Sequence, residues 1–494
     1  MSSSEPSLTR RVVAGGIWGM LGSSAQTILG LAAAIVVARH LLPADYAVMA
    51  LAGAVVSLTG RIGSFGLVDA IVREREEFDD LAESVFTALV GLGLLLCGAV
   101  LAATPLLAVF YDEPRLTRAL PVLLLSLYAG MLGSVPRALL QRGLRFREIN
   151  LLDVIQKAVA SVVGIGLAVA GFGYWALILP SLVAIGAISP ALFLMAGFRP
   201  HFGFSWPRLR RCVRFSSGVF LARLLNFLGD DIDYFVLGKY LARPAYGFYY
   251  FAFTRTRMPY TLLGPAIQGP LLPAFSELRH DARRLRRAVV RVASISFSTL
   301  APISLALAIF ADPLIPFVFS DRWAPAVPLC RVFAILTLLP AAGGFSGAVL
   351  LALGRSWTVV GFNAFRLAAI GTALAWGVLG SRTALEIAVS LTAANFLTIG
   401  TTLFLLFSLI GLRGRDYVTM YGRAALCIAL AVAAWGSAFA AGLQPENLGS
   451  LLYLAAAGSL FLAAYGAATW WINRPPVDEV LPLIRERLKR RFSS

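Results

Sequence analysis

Phe215-Ser216-Ser217-Gly218-Val219-Phe220-Leu221-Ala222-Arg223-Leu224-Leu225-Asn226, followed by Asp230-Asp231-Ile232-Asp233 and the turn Gly238-Lys239-Tyr240, opens the stretch on which the reading of this chain depends. A second apolar segment runs on to Phe275, holds Arg255 and Arg257, and is interrupted by Pro259, Pro265, Pro270 and Pro273. Each half is long enough to cross a bilayer, which needs about twenty apolar residues. Charges inside such a segment are costly and face a cavity, water or one another. The stretch therefore predicts both a class of fold and the place where function is written.

The rest of the chain agrees with the class. Of 494 residues 58% are apolar and only 14% charged, far from a soluble average. Apolar runs recur at 14–38, 45–70, 84–110, 116–140, 151–172, 174–197, 214–238, 246–274, 290–318, 326–353, 357–379, 384–411, 421–442 and 449–472. The expectation is an all-α polytopic membrane protein of about fourteen spans. The gaps are too short for a soluble domain. Arg10-Arg11 before the first run resembles a twin-arginine signal, but that run is too long for a signal segment and reads as an uncleaved first helix.

With the N-terminus cytoplasmic, 29 of the 43 Lys+Arg fall on the cytoplasmic side, 7 opposite and 7 inside spans. That is a strong positive-inside bias, so both termini are expected in the cytoplasm. It also accounts for the net charge of +17 without nucleic acid, because the arginines lack interleaved aromatic platforms. Residues 276–290 and the tail after 473 read as basic amphipathic helices lying on anionic lipid at the cytoplasmic surface. The acidic run Glu74–Asp80 reads as a solvated loop, with docking of a partner enzyme as the sharper alternative. Cys97, Cys212, Cys330 and Cys427 and the three histidines have neither metal nor disulfide spacing, and no cofactor is expected.

An internal repeat at an offset of 200 residues is also present. Arg39-His40-Leu41-Leu42-Pro43-Ala44-Asp45-Tyr46 aligns without gaps on Lys239-Tyr240-Leu241-Ala242-Arg243-Pro244-Ala245-Tyr246, with Gln26 on Asn226. Copies six spans apart enter the membrane in the same direction, which implies two parallel six-span lobes, an architecture of transporters. The expected organisation is a lobe over 1–200, a lobe over 201–411, two appended spans over 412–472 and a basic tail over 473–494.

Arg61, Arg223, Arg255, Arg257 and Arg366 lie inside spans 2, 7, 8 and 11, where one arginine costs about 2.5–3.5 kcal/mol even on the lenient insertion scale. In span 7, Arg223, Asn226, Asp230 and Asp233 fall on one helix face. The functional reading is a cationic cavity for an anionic headgroup, lined by Arg61, Arg223, Asn226, Arg255, Arg257 and Arg366. Asp230 and Asp233 would serve ion coupling or charge pairing. The bland reading is a set of buried Arg–Asp pairs holding the lobes together. Arg255 and Arg257 are two apart and cannot share a face. Asp153 and Lys157 read as snorkelling or paired near the end of span 5. Gly15, Gly16, Gly19 and Gly22 read as helix-packing positions. No nucleotide loop, elbow serine or metal-ligand pair is present in the sequence.

An ordered series of motifs carries a family resemblance. It runs through Ala38–Tyr46, Gly66-Leu67, Gln141-Arg142-Gly143-Leu144-Arg145-Phe146, Gly171–Leu177, Asp231–Leu241, Tyr246-Gly247-Phe248-Tyr249 and Leu271–Ser276. It resembles the multidrug/oligosaccharidyl-lipid/polysaccharide (MOP) flippase superfamily, in particular the polysaccharide transporters and Wzx-type exporters. The resemblance implies a transporter, not an enzyme. It would move undecaprenyl-diphosphate-linked oligosaccharide from the cytoplasmic to the periplasmic leaflet for surface polysaccharide such as lipopolysaccharide or exopolysaccharide. Polysaccharide polymerase and glycosyltransferases are the implied partners. A multidrug-type cation-coupled exporter would prefer an acidic cavity, and a membrane polymerase or ligase would need a longer external loop. The resemblance fades beyond about residue 410.

Overall fold

The computed structural model describes residues 8–64, 67, 68, 71, 78–200, 202–380 and 382–473. Among them every regular element is a helix. Twelve helical stretches are long and apolar enough to cross a membrane, and they coincide with spans 1–6 and 9–14. The two runs that do not qualify are spans 7 and 8. Span 7 is one helix of 35 residues, Trp206–Tyr240, too rich in charge. Span 8 is broken into three short helices.

The chain packs as two compact units, Met1–Tyr250 and Phe251–Ser494. This division falls within span 8, whereas the repeat places span 7 with the second lobe. The first unit contains α1 (Leu8–His40), α2 (Pro43–Ser64), α3 (Phe78–Phe110), α4 (Leu116–Arg142), α5 (Phe146–Val169), α6 (Trp175–Ala196) and α7 (Trp206–Tyr240), and the start of α8 (Arg243–Thr256). Helix α1 packs on α5, α4 on α3 and α6, and α7 on α2 and α3. Leu81, Val85, Phe86 and Leu89 of α3 close a core with Met131 and Val135 of α4 and Leu209 of α7. Large apolar side chains such as Leu95, Leu106 and Leu194 point outward on the same helices, as a hydrocarbon solvent allows.

The repeated segment is built alike in both copies. The chain turns at 41–42 and at 241–242, with Leu41 N–H donating to Val37 and Leu241 N–H to Leu237. Tyr46 and Tyr246 are both buried. The second turn sits directly on the first hairpin. A Cβ at position 247 would lie 1.9 Å from the Pro43 carbonyl oxygen, a backbone atom, so only glycine fits there, while one at 238 would lie 2.2 Å from Leu51 Cδ2 and would force that side chain to move.

In the second unit the chain continues from α8 through α9 (Met258–Gln268) and α10 (Leu271–Leu278) into the long α11 (Ala282–Ile309). Then come α12 (Ala311–Phe319), a short 3-10 turn, α13 (Val327–Leu336), α14 (Leu338–Gly343) and α15 (Ser346–Ala352). The remainder is α16 (Ser356–Leu379), α17 (Ala384–Leu409), α18 (Gly414–Tyr417), α19 (Arg423–Ala440), α20 (Pro445–Leu448) and α21 (Ser450–Ile472). Spans 8 and 10 are thus both segmented. Pro259 cannot donate to its helix and restricts Met258 before it, and Pro340 with Gly343-Gly344 acts likewise in span 10. Their counterparts in the repeat, α2 and α4, run unbroken.

Residues 276–290 do not form the single surface helix expected. The chain breaks between Leu278 and Ala282, and Asp281 caps α11 by accepting from Arg284 N–H at 2.9 Å. Leu285 and Val289 enter a core with Leu271, Phe275, Phe345 and Phe407, because the apolar face meets protein rather than lipid. Spans 13 and 14 close on the end of α11 through Phe310, Tyr453 and Phe461. Glu74–Glu77 and the basic tail lie outside the described residues.

Candidate functional site

The arginines and aspartates singled out above divide between the two units. In the first, the Arg61 guanidinium of α2 lies 5.2 Å from the ring centre of Phe227 on α7. Phe227 is buried and its neighbour Asn226 exposed, so Arg61 reaches the polar stripe of α7 by lying across an aromatic ring. Asp230 is half-buried. The side chain of Arg223 lies outside the described residues.

Asp233 turns inward instead. It is buried, accepts from Tyr249 Oη at 2.5 Å and from the Tyr234 N–H at 3.0 Å. Tyr246 Oη donates to the Tyr234 carbonyl at 2.9 Å. Although α7 has one polar face, its last turn is covered by α8, so the stripe ends in a tyrosine-lined pocket that ties the two helices together. The i, i+7, i+10 spacing gave the face and could not give the cover.

The same end of the unit carries a network missed at the sequence level. Glu113, in the turn between α3 and α4, is buried. It accepts two bonds from Arg115 at 2.7 and 2.9 Å and pairs with Arg243 Nε at 3.3 Å. Arg243 also donates to the carbonyls of Gly238 at 2.8 Å and Asp112 at 3.2 Å, and Lys239 donates to the carbonyl of Phe110. Burial alone would raise the Glu113 carboxyl. The Arg115 hydrogen bonds and the charges of Arg115 and Arg243 outweigh it and hold the group below the usual range. The turn between α7 and α8 is thus latched to the turn between α3 and α4. At the opposite end Arg137 grips Asp153 with two bonds of 2.6 and 2.7 Å, which answers the pairing expected of Asp153.

In the second unit, Arg255 and Arg257 flank the break between α8 and α9. Arg255 lies 5.9 Å from the ring centre of Phe251 and Arg257 lies 4.8 Å from that of Phe253, each one helical turn back on its own face. Phe251 is stacked on Trp323 at 3.9 Å, and Phe253 meets Phe333 edge-on, so both platforms are rigid. Neither arginine forms an ion pair among the described residues, and the buried Nε of Arg255 has no acceptor. Arg255 is twelve residues from Arg243, about 18 Å along a helical path, near the middle of a bilayer core of about 30 Å. In span 11, Arg366 Nε donates at 3.1 Å to Asn395 of α17, a neutral partner. Aromatic faces thus orient Arg255 and Arg257, and an amide meets Arg366.

Membrane-length helices, two of them broken at prolines, with arginines inside the membrane-length segments, define a transporter-like polytopic membrane protein. The profile of the polysaccharide biosynthesis protein family matches residues 36–328, and the chain belongs to that family. The succinoglycan biosynthesis transport protein ExoT of Rhizobium meliloti (strain 1021) is 27% identical over 318 residues, 64% of each chain, so the match spans less than two thirds of that relative. The lipopolysaccharide biosynthesis protein WzxC of Escherichia coli (strain K12) is 24% identical over 73% of this chain and 74% of its own. The fold is similar to that of the lipid II flippase MurJ in an inward closed conformation, with a TM-score of 0.74 at 12% identity, covering 94% of this chain and all of that one. It is also similar to an inward-facing multidrug resistance MATE transporter of the MOP superfamily, with a TM-score of 0.61 at 15% identity, covering 78% and 94%.

Proposed function

We propose that the protein is a flippase that moves a lipid-linked oligosaccharide across the bacterial inner membrane for surface polysaccharide assembly, by alternating access. The observation that carries this reading is the pair Arg255 and Arg257 at the break of span 8, held over aromatic rings with no carboxylate partner among the described residues. A diphosphate headgroup would supply the acceptors that the Arg255 Nε lacks, and the arginine fork matches phosphate oxygens. Membership of a polysaccharide biosynthesis family and similarity to the transport protein ExoT and the flippase MurJ support a transporter over an enzyme. Arg61, Arg223, Asn226 and Arg366 remain proposed members of the headgroup path, with Asp230 as the candidate for ion coupling. A drug-cation exporter is disfavoured by the same arginines, which would repel its cargo.

The test is export of polysaccharide by an Arg255→Ala, Arg257→Ala double variant in a strain lacking the native gene. At wild-type membrane abundance, export should fall more than about tenfold, since two charge-assisted bonds are removed. Undiminished export would refute the assignment. Arg→Lys substitution at both sites should restore only part of it, because a point charge cannot form the bidentate contact.

A further inference from the structure

We infer that the second unit contains a separate binding site for the phosphate headgroup of an anionic membrane phospholipid. A cavity of about 860 Å³ is lined by Arg283, Arg286, Arg287 and Arg291 of α11, by Arg413 and Arg415 before span 13, and by Asp416. Six arginines thus converge on one hollow whose lining includes a single carboxylate. That carboxylate is committed: Asp416 accepts from Arg286 Nε at 3.0 Å and from the Arg413 N–H at 2.7 Å. It fixes Arg286 and the start of span 13 as a frame and leaves the lining strongly cationic.

The remaining lining suits a lipid headgroup. Ser294 and Thr419 offer hydroxyls, and Val290 and Ile295 add apolar wall. Asn473 also lines the hollow; it is buried and held by its bond to Ser298 at 2.9 Å. Thr419 sits on a π-helical turn, Val418–Gly422, a local distortion that recurs at functional sites. Position decides the source of the phosphate. Arg283–Arg291 precede the apolar run of α11, Arg413–Asp416 precede span 13, and Asn473 follows span 14. All three elements meet where helices leave the bilayer, at the height of a phospholipid headgroup. The hollow is far larger than an inorganic phosphate needs, and the several arginines that line it beside the committed Arg286 favour a lipid that brings two phosphates, such as a cardiolipin. The site is distinct from the arginines of spans 8 and 11, and its occupancy does not depend on the transport reading.

The test uses the full-length protein purified in detergent and native mass spectrometry with added lipids. Cardiolipin should remain bound at concentrations where phosphatidylethanolamine does not. Arg283→Gln with Arg287→Gln should weaken cardiolipin retention about tenfold or more. Arg279→Gln with Arg284→Gln removes the same charge from residues that do not line the hollow, and should change retention less than about twofold. Equal loss in both double variants would overturn the site in favour of diffuse surface charge. Displacement of cardiolipin by inorganic pyrophosphate at equal concentration would overturn the lipid assignment in favour of a soluble polyanion. Stronger retention of a polyprenyl diphosphate than of cardiolipin would overturn it in favour of the transported lipid. Wild-type protein that retains cardiolipin no better than phosphatidylethanolamine would overturn the site even if a variant does not fold.

Discussion

Single residues show how this chain tolerates charge in apolar surroundings by two different routes. Asp233 is stabilised by hydrogen bonds from the Tyr249 hydroxyl and the Tyr234 N–H, within a tyrosine-lined hairpin. Tyr249→Phe removes one donor to a buried carboxylate, and should destabilise the protein by about 1–3 kcal/mol, read as a lowered Tm in detergent. Arg255, by contrast, has a ring beneath it and no acceptor at Nε among the described residues, an arrangement that costs stability and that the proposed headgroup would complete. Glu113 lies between these cases, since arginines surround it and depress its proton affinity. A carboxyl depressed in the folded state contributes stability above its ordinary value of about 4.5, and loses it as pH falls through the folded value. The Tm difference between wild type and Glu113→Gln should therefore be constant above about pH 5 and shrink on further acidification. A difference that grew with acid would contradict the latch. Charged positions were legible from the sequence because arginine in an apolar run stands out at once. Their partners were not, because Tyr249, Phe227 and Asn395 are ordinary residues in apolar segments until packing gives them a role.

At the scale of elements, the hairpin of spans 7 and 8 departs most from a plain membrane helix pair. Two devices shape it, the proline break after Arg257 and the glycine contacts of its turn. Pro259→Ala restores a backbone donor and removes the restriction on Met258, so α8 and α9 should join into one helix. Each residue added to a helix rotates the downstream chain by about 100°, which would re-aim Arg257 and the segment beyond it. Export should fall although Tm is unchanged or higher, because a helix-forming residue replaces a breaker. Gly247→Val acts differently: its side chain would meet the Pro43 carbonyl, a backbone atom that cannot move aside, and the turn must lift from the first hairpin. The prolines announced the break in the sequence. The 200-residue repeat announced the matching turns, but nothing in it announced that the second turn would rest on the first.

For the molecule as a whole, hydropathy alone located twelve of the spans found in the structure; span 7 falls short of the same criterion through its charges and span 8 through its breaks and polar residues. The packing division at Tyr250 was not legible, because it depends on which neighbours the charged hairpin meets rather than on its own pattern. On the proposed transport cycle, that hairpin must change neighbours. In the structure its turn is fastened to the turn between α3 and α4 by Arg243 on Glu113 and by Lys239 on the Phe110 carbonyl. On that cycle such a fastening would have to open once per turnover for the hairpin to change neighbours. Glu113→Arg places like charges beside Arg243 and Arg115 and should release the turn, exposing a cysteine placed at the buried Leu237 to a membrane-impermeant maleimide added from outside. Arg243→Glu in the same chain restores an opposite pair and should return labelling toward the wild-type rate, with export recovering in parallel. Labelling that stayed at the wild-type rate in the single variant would mean that Glu113 fastens nothing. Recovery of protection without recovery of export would mean that the latch is structural and plays no part in the cycle.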